Sequence, residues 1–220
     1  MTRTYRKSVL KDVFSCPTID VFTAAVVAQR INRGYFKYDI GAIRANRHIV
    51  NKILSDKCNE TYVILDSDRE LAERIIQHFR GYSFKILSGT EMSDYAKAAL
   101  TCATNETVTD NNYMLGVIVS LPNSYQREVK RRQTDDIVRE LEGFVGNVGD
   151  RVTTEITVLK SYASSKWFTN FITGITSDNK GVFFSFSKNI DIDSKIKVTG
   201  TVKAYRDNLT QLNRVRMLEQ

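Results

Sequence analysis

The fold of the last third of the chain is decided by the stretch RVTTEITVLK at residues 151–160. Every second side chain from Val152 to Val158 is apolar or threonine, and the residues between them are polar. A period of two over this length predicts a β-strand with one buried face. Further segments of strand character follow at 166–175, 182–187, 195–205 and 209–218.

The number and length of these segments predict a closed barrel. Five strands fall within about 68 residues, and a short insert at 189–194 separates the third strand from the fourth. A small Greek-key barrel of the OB type has this strand count and size. We therefore expect an OB-like barrel at residues 149–220.

Residues 1–148 predict a mainly helical domain with one or two short strands. Apolar residues at helical spacing follow polar capping residues in several places. The expected helices cover about 18–31, 42–55, 69–80, 93–102 and 124–141. A run at 61–65 is β-like, and 115–119 fits either a strand or the start of a buried helix. The expected fold class is therefore α+β, with the helical domain first and the barrel second.

The composition, with 220 residues of which 42% are hydrophobic and 26% charged, is that of an ordinary globular protein. It excludes intrinsic disorder and collagen-like repeats. The apolar run at 22–28 is far shorter than the roughly 20 residues that span a bilayer, so no membrane crossing is expected. No apolar signal region follows the basic N-terminus, and three widely spaced cysteines favour a reducing compartment. We expect a cytoplasmic protein without a structural metal.

The net charge of +7 is concentrated at the two ends of the sequence. Nine Lys and Arg against three acids give +6 over residues 1–50, and eleven against six give +5 over residues 151–220. The segments between them, 51–100 and 101–150, carry −1 and −3. Clustered cations can neutralise phosphates and release counterions from a polyanion. This distribution favours a nucleic-acid partner, although it also fits an acidic protein partner.

Aromatic side chains are expected on the outer face of the predicted barrel as well as inside it. In the third strand the inner face takes every second residue from Val182 to Phe186, so Phe183 points outward beside serines. In the second strand Trp167 and Phe168 are adjacent, so at least one of them lies outside. These are the strands on which OB folds stack bases. The alternative is that helices of the first domain cover these rings.

Cations accompany these rings in the barrel sequence. Lys195, Lys197 and Lys203 alternate with apolar residues of the fourth strand and so are expected to share its outer face. The candidate nucleic-acid contacts are Trp167, Phe168, Phe183, Lys166, Lys195, Lys197, Lys203, Tyr205, Arg214 and Arg216. Aromatic platforms bordered by cations are typical of single-strand binding grooves. The same lysines also fit a solvated barrel surface.

A second candidate surface lies in the helical domain, in the stretch NRGYFKY at residues 32–38. Tyr35 or Phe36 is placed to stack on a base, and Arg33 with two later arginines is placed to meet phosphates. The alternative interpretation is an aromatic connection between two helices that packs into the core.

The barrel sequence also resembles a known group of proteins. The runs GVFFSFSK at 181–188, KIKVTGTVKAY at 195–205 and TQLNRV at 210–215 follow one another in this order. Together they resemble the C-terminal OB-type module of many phage-encoded DNA-metabolism and uncharacterised proteins. The resemblance covers about a third of the chain. It implies a phage or mobile-element origin and the handling of nucleic acid, and it supplies no reaction.

No catalytic motif is evident in the sequence. It contains neither a GxxxxGK phosphate-binding loop nor a dinucleotide fingerprint, and His48 and His78 have no evident catalytic partner. We therefore predict a non-catalytic, cofactor-free protein that binds single-stranded nucleic acid, with DNA ahead of RNA. It would act as an accessory factor in phage DNA replication or recombination, with the proteins of those processes as further candidate partners.

Two other functions stay open at the level of sequence. One is a protein-interaction adaptor that docks a replication or host protein and whose aromatic side chains are covered. The other is part of a metal-dependent nuclease or primase centred on Asp66 and Asp68, two carboxylates that a helix cap also explains.

Overall fold

The computed structural model describes residues 15–55, 62–109 and 112–218. It has the predicted α+β fold, in which helices fill the first part of the chain and a closed five-stranded barrel fills the second. The chain divides into two compact units, residues 1–128 and 129–220. The division falls within one long helix, so the second unit contains the end of that helix as well as the barrel.

The first unit consists of helices and one small sheet. Its helices are α1 (Thr18–Asn32), α2 (Asn46–Ile53), α3 (Asp66–Arg80), α4 (Ser83–Leu87), α5 (Asp94–Thr104) and α6 (Asn112–Arg139), the last of which continues into the second unit. Two three-residue strands, β1 (Ser15–Pro17) and β2 (Thr107–Thr109), pair antiparallel.

Helix α1 is the centre of this unit because its middle is buried on all sides and mostly apolar. Every side chain from Val21 to Gln29 is buried, and both α2 and α3 pack against the helix. A helix that is hydrophobic all round is stable only when other elements surround it. Its first residue is fixed by the Thr18 hydroxyl, which donates a hydrogen bond to the Asn105 carbonyl at 2.6 Å.

Two predicted elements of this unit differ from the structure. Helix α2 begins at Asn46 rather than at residue 42, because residues 40–45 form a turn in which Asp39 accepts a hydrogen bond from the Ala45 N–H at 2.7 Å. Residues 62–65 form no strand, and residue 61 lies outside the described part of the chain.

Helix α6 runs through Pro122, so the segment 115–119 is helical. A proline inside a helix costs about 3 kcal/mol, because it removes the hydrogen bond to the Ile118 carbonyl and crowds that carbonyl. Leu115, Ile118 and Leu121 are all buried, and each such side chain contributes roughly 1.5–3 kcal/mol. The buried apolar face therefore outweighs the proline.

The second unit contains the predicted closed five-stranded barrel. Its strands are β3 (Arg151–Ser164), β4 (Thr169–Thr176), β5 (Gly181–Phe186), β6 (Lys195–Arg206) and β7 (Leu209–Leu218). They pair in the order β3-β4-β5-β7-β6, and β6 pairs back onto β3. The strands are antiparallel except for β5 and β7. Val158, Val182 and Phe184 are buried in its core, which confirms the inner face expected from the period of two.

Strand β3 contains one extra residue, which changes the side chains that face outward. Val158 pairs with Gly174, and Lys160 pairs with Thr173, which is directly adjacent to Gly174 in β4. Leu159 therefore has no partner in β4 and forms a bulge. A bulge moves the residues after it to the opposite face of the sheet. Without this bulge, Lys160 would share the inner face with Val158.

The insert between β5 and β6 holds the bulge in place. The Val158 N–H donates to the Ser194 carbonyl at 2.9 Å, and the Val158 carbonyl accepts from the Asp193 N–H at 2.8 Å. Ile190, in the same insert, is buried in the barrel core. The insert thus contributes the Ile190 side chain to the barrel core and backbone hydrogen bonds to β3.

Strand β4 begins later than the sequence predicts. The expected strand started at residue 166, but residues 165–168 form the turn between β3 and β4, and β4 begins at Thr169. Phe168 has a φ of 49°, in the left-handed region, which is incompatible with a continuing strand. Trp167 and Phe168 therefore lie in a turn.

Two glycines with opposite surroundings test this packing. A Cβ on Gly181 would lie 2.9 Å from the Asn208 carbonyl oxygen and would also press on the side chains of Leu209 and Leu141, whereas a Cβ on Gly116 meets nothing within 4 Å. We predict that Gly181→Ala lowers the free energy of unfolding by about 1–3 kcal/mol. Gly116→Ala, within the second turn of α6, raises it by up to about 1 kcal/mol. Urea unfolding followed by circular dichroism measures both, and equal effects of the two substitutions would contradict the packing described.

Candidate nucleic-acid interface

Two phenylalanines are stacked on the outer face of the barrel. Phe171 of β4 and Phe183 of β5 are parallel to within 12°, with ring centroids 5.8 Å apart. Both are half-buried, and Ser185, which pairs with Phe171, is exposed beside them. Phe183 thus points outward, as the period of two predicts, and it is supported by a neighbouring ring.

Tyr162 extends this row onto a third strand. It pairs directly with Phe171 across β3 and β4, and directly opposed residues share a face. Its side chain is 66% exposed. We call the outward rings of Tyr162, Phe171 and Phe183 the aromatic face.

Tyr162 and Phe171 were not among the residues predicted for the interface. Extrapolating the alternation from Val158 places Tyr162 inside the barrel, and the bulge at Leu159 reverses this. Phe171 could have been predicted from the sequence. It is adjacent to Ile172, which lies in the barrel core, and neighbouring residues of a strand point to opposite faces.

The turn between β3 and β4 carries two further rings into solvent. Trp167 is 65% exposed and Phe168 is 92% exposed. The Lys166 ammonium lies 5.4 Å from the centre of the Trp167 ring, within the range of a cation–π contact. At least one outward ring was expected in this segment, and both are outward.

Two cations of β6, Lys195 and Lys197, lie apart from the aromatic face along β3. Lys197 pairs with Glu155 and Lys195 with Thr157, on the first half of β3. Tyr162 lies five to seven residues farther along the strand, or roughly 16–23 Å at about 3.3 Å per residue. Along β3, Lys195 and Lys197 are thus separated from the rings and do not form one patch with them.

The remaining cations of the barrel are placed at register irregularities or at exposed edges. Lys203 lies at a bulge of β6, and Arg214, with a φ of 51°, lies at a bulge of β7. Arg216 pairs with Thr199 and is exposed. None of the six predicted cations forms an ion pair with a described residue, which leaves their charges available to a polyanion; they are Lys166, Lys195, Lys197, Lys203, Arg214 and Arg216.

Lys160 differs from these cations because it is already neutralised. Its ammonium forms an ion pair with Asp135, near the end of α6. The hydrogen bond from Lys160 is the main cause that lowers the pKa of Asp135 below its ordinary value, and the nearby Arg131 and Arg139 lower it further. Lys160 therefore fixes the helix to β3.

Tyr205 also has partners within the barrel unit. Its ring stacks on Phe144 with centroids 4.1 Å apart, and its hydroxyl donates to the Gly146 carbonyl at 2.8 Å. Tyr205 therefore holds the segment before β3 against the barrel.

Two of the predicted interface residues, Arg33 and Tyr35, belong to the first unit and not to the barrel. Arg33 caps α1 with a left-handed φ of 53° and is exposed. Tyr35 is half-buried and packs against the helical core, and burial is the main cause that raises its pKa. Tyr35 also lines a cleft, which is described below.

Asp68 is engaged by the fold. Both of its carboxylate oxygens accept hydrogen bonds from Arg30 at 2.9 Å, and one also accepts from the Leu65 N–H at 2.9 Å. This is a helix cap combined with an ion pair, as the capping interpretation predicts. Among the described residues no cluster of three or more His, Cys, Asp or Glu is placed to hold a metal ion.

Comparison with known proteins gave no match. No protein-family model, curated protein or solved structure is significantly similar to the chain. Within the described residues, no helix combines the length and the apolarity needed to cross a bilayer.

The ion pair between Asp135 and Lys160 predicts a pH-dependent contribution to stability. Because the pKa of Asp135 is lowered in the folded state, the pair stabilises the fold above the unfolded pKa of about 3.9 and loses this effect as pH falls through the folded pKa. Asp135→Asn should therefore destabilise the protein at pH 7 and make little difference near pH 2.5. Urea midpoints of the variant and the parent across this range measure the effect, and a difference that does not change with pH would contradict it.

Proposed function

We propose that this protein binds single-stranded nucleic acid through the outer surface of the barrel, as a non-catalytic accessory factor in phage DNA replication or recombination. The observation that carries the proposal is the aromatic face together with the exposed rings of Trp167 and Phe168 in the adjoining turn. The resemblance of the barrel sequence to phage-encoded modules supports this biological setting. For the same reason we propose single-stranded DNA, ahead of RNA, as the ligand.

Stacking on this surface is physically favourable. Large rings exposed to water have an unfavourable hydration free energy, and bases have apolar faces that can cover them. A base stacked on an aromatic side chain contributes about 1–3 kcal/mol and does so with little regard to sequence. Two or three stacked bases would therefore give appreciable affinity without base-specific hydrogen bonds.

The backbone of Phe168 supports a functional role for its ring. A φ of 49° places an L side chain in the left-handed region, which costs roughly 1–2 kcal/mol. Phe168 has neither the local hydrogen bonding of Asn nor the freedom of Gly, and its ring gains little from burial since it is 92% exposed. Such strain is typical of residues kept for binding rather than for stability.

The unpaired cations supply the second part of the proposed site. Lys166 is adjacent to the exposed rings, and Lys195 and Lys197 lie along β3 from them. An OB fold covers about 4–16 nucleotides of single strand, which is long enough to bridge roughly 20 Å. We therefore propose that bases stack near the β3–β4 turn and that the phosphates of a longer strand reach β6.

Phe168→Gly separates binding from stability. Glycine relieves the left-handed backbone, so we expect the free energy of unfolding to stay the same or to rise by up to about 1 kcal/mol. Loss of one stacking ring should weaken the binding of a labelled oligothymidylate by about 5- to 150-fold. Fluorescence anisotropy measures the binding, and quenching of Trp167, the only tryptophan, reports it independently.

Phe84→Ala is the matched control for this variant. Phe84 is 72% exposed on α4 in the first unit, so this variant removes a largely exposed ring that is not part of the barrel. Its oligonucleotide affinity should equal that of the parent. Unchanged binding by Phe168→Gly, or absence of oligonucleotide binding at low salt with a stoichiometric protein partner instead, would favour an adaptor over the proposed function.

The separation between rings and lysines predicts a dependence on strand length. For single strands, each phosphate contact contributes about 0.7 to the slope of log affinity against log salt. Replacing Lys195 and Lys197 together by Ala should reduce the slope by roughly 1.4 for an oligonucleotide of about 15 nucleotides and leave it unchanged for one of about four. Lys180→Ala is the control, because Lys180 is already paired with Asp178 at 2.9 Å. Equal slopes for parent and double variant with the longer strand would remove β6 from the site.

A further inference from the structure

A cleft of about 640 Å³ lies within the first unit, and it shares no residue with the proposed barrel site. One side is the loop that follows α1, residues 35–38, and another is a face of α6 between Tyr113 and Arg127. Its volume is within the range of about 300–1,000 Å³ that is typical of small-molecule sites.

The lining of the cleft is unusually rich in aromatic side chains. Five rings contribute to it, namely Tyr35, Phe36, Tyr38, Tyr95 and Tyr113. Tyr38 and Tyr113 are 69% and 59% exposed, so the cleft presents much of their ring surface to solvent. Rings arranged around a concave surface favour a planar apolar group between them.

The charges that line the cleft are all positive. Lys37, Arg47 and Arg127 contribute to it, and none of the described lining residues is acidic. The Lys37 ammonium lies 5.3 Å from the centre of the Tyr38 ring, so cation and ring meet at the same edge. Arg127 forms no ion pair or hydrogen bond with a described residue. The positive potential of these residues would attract the anionic end of an entering group.

The aromatic loop is held in place by a buried amide. The Asn46 side chain is fully buried; it accepts a hydrogen bond from the Phe36 N–H at 2.9 Å and donates one to the Gly34 carbonyl at 3.0 Å. The Asn46 N–H also donates to the Phe36 carbonyl at 3.0 Å. The loop is therefore ordered before any ligand binds, which lowers the entropic cost of binding.

The α6 side of the cleft has both open space and hydrogen-bonding groups. A Cβ on Gly116 would meet nothing within 4 Å, so the helix leaves room at this point. The Tyr95 hydroxyl lies 2.8 Å from the hydroxyl oxygens of both Ser120 and Ser124. Hydroxyls next to aromatic rings can bond the polar edge of a planar ring system while its faces are stacked.

We propose that this cleft binds a nucleoside phosphate, with the base among the aromatic rings and the phosphate at Lys37, Arg47 and Arg127. A planar ring with polar edges and an anionic tail matches the three features of the lining: rings, hydroxyls and cations. The same chemistry has two sources, a free nucleotide or one nucleotide of a bound strand.

Titration of the full-length chain with ADP, adenosine and inorganic phosphate tests the proposal. ADP should bind with a dissociation constant below about 1 mM, and adenosine at least about tenfold more weakly because it lacks the anion. Gly116→Leu fills the open space and should weaken ADP binding at least about tenfold. Arg127→Gln removes one cation at an exposed helix position and should weaken ADP binding without affecting adenosine. The second variant keeps the test valid if the first fails to fold.

Competition distinguishes the two sources of the nucleotide. If a short oligonucleotide displaces ADP and loses affinity in Gly116→Leu, the cleft holds one nucleotide of a strand; if both bind independently, it holds a free nucleotide. Absence of ADP binding up to about 5 mM, or equal ADP binding by both variants and the parent, would overturn the proposal. Phe168→Gly should retain ADP affinity, so failure of the barrel site and failure of the cleft give different results.

Discussion

The extra residue at Leu159 in β3 is the constraint on which the outer surface of the barrel depends. It lets one strand pack Val158 into the core and then turn Lys160 and Tyr162 outward. Bulges are frequent next to functional sites, where they change the direction of a side chain. The insert between β5 and β6 fixes this bulge by bonding both backbone groups of Val158. The bulge thus adds Tyr162 to the aromatic face, whose other two rings, Phe171 and Phe183, point outward through the regular alternation of β4 and β5.

The bulge also explains why the cations of the barrel belong to two groups. Lys160, turned outward, meets Asp135 and ties the end of α6 to the barrel. The lysines of β6 meet no carboxylate within ion-pair distance among the described residues. A structural role is therefore evident for Lys160, and the exposed charge of β6 remains available for binding. Counting basic residues along the sequence does not separate the two groups.

The sequence predicts most of the barrel because its strands have one buried face and a clear period of two. It predicts less where that period is broken. The bulge is visible only from the pairing of β3 with β4, so Tyr162 was missed. Trp167 and Phe168 are residue types that favour strands, yet they lie in a turn. The sequence does not reveal this turn, because nothing about an aromatic residue signals the left-handed φ of Phe168. The helix expected at 124–141 begins already at Asn112, because buried apolar neighbours outweigh the cost of Pro122 inside the helix. Of the cleft in the first unit, the sequence indicated only the stretch 32–38. The α6 side of the cleft could not be predicted, because its residues are distant from that stretch in the sequence.

The arrangement of β7 has a consequence for how the barrel is made during translation. β7 joins β6 over most of its length and β5 over only three residue pairs, Gly181 to Phe183 with Leu209 to Gln211. Until the ribosome has released this strand, β5 and β6 each have an unpaired edge and the inner side chains have no complete enclosure. The helical unit, whose contacts all precede β3, has no such requirement. Nascent chains would therefore carry a folded helical unit while their barrel strands are still exposed to chaperones and to one another.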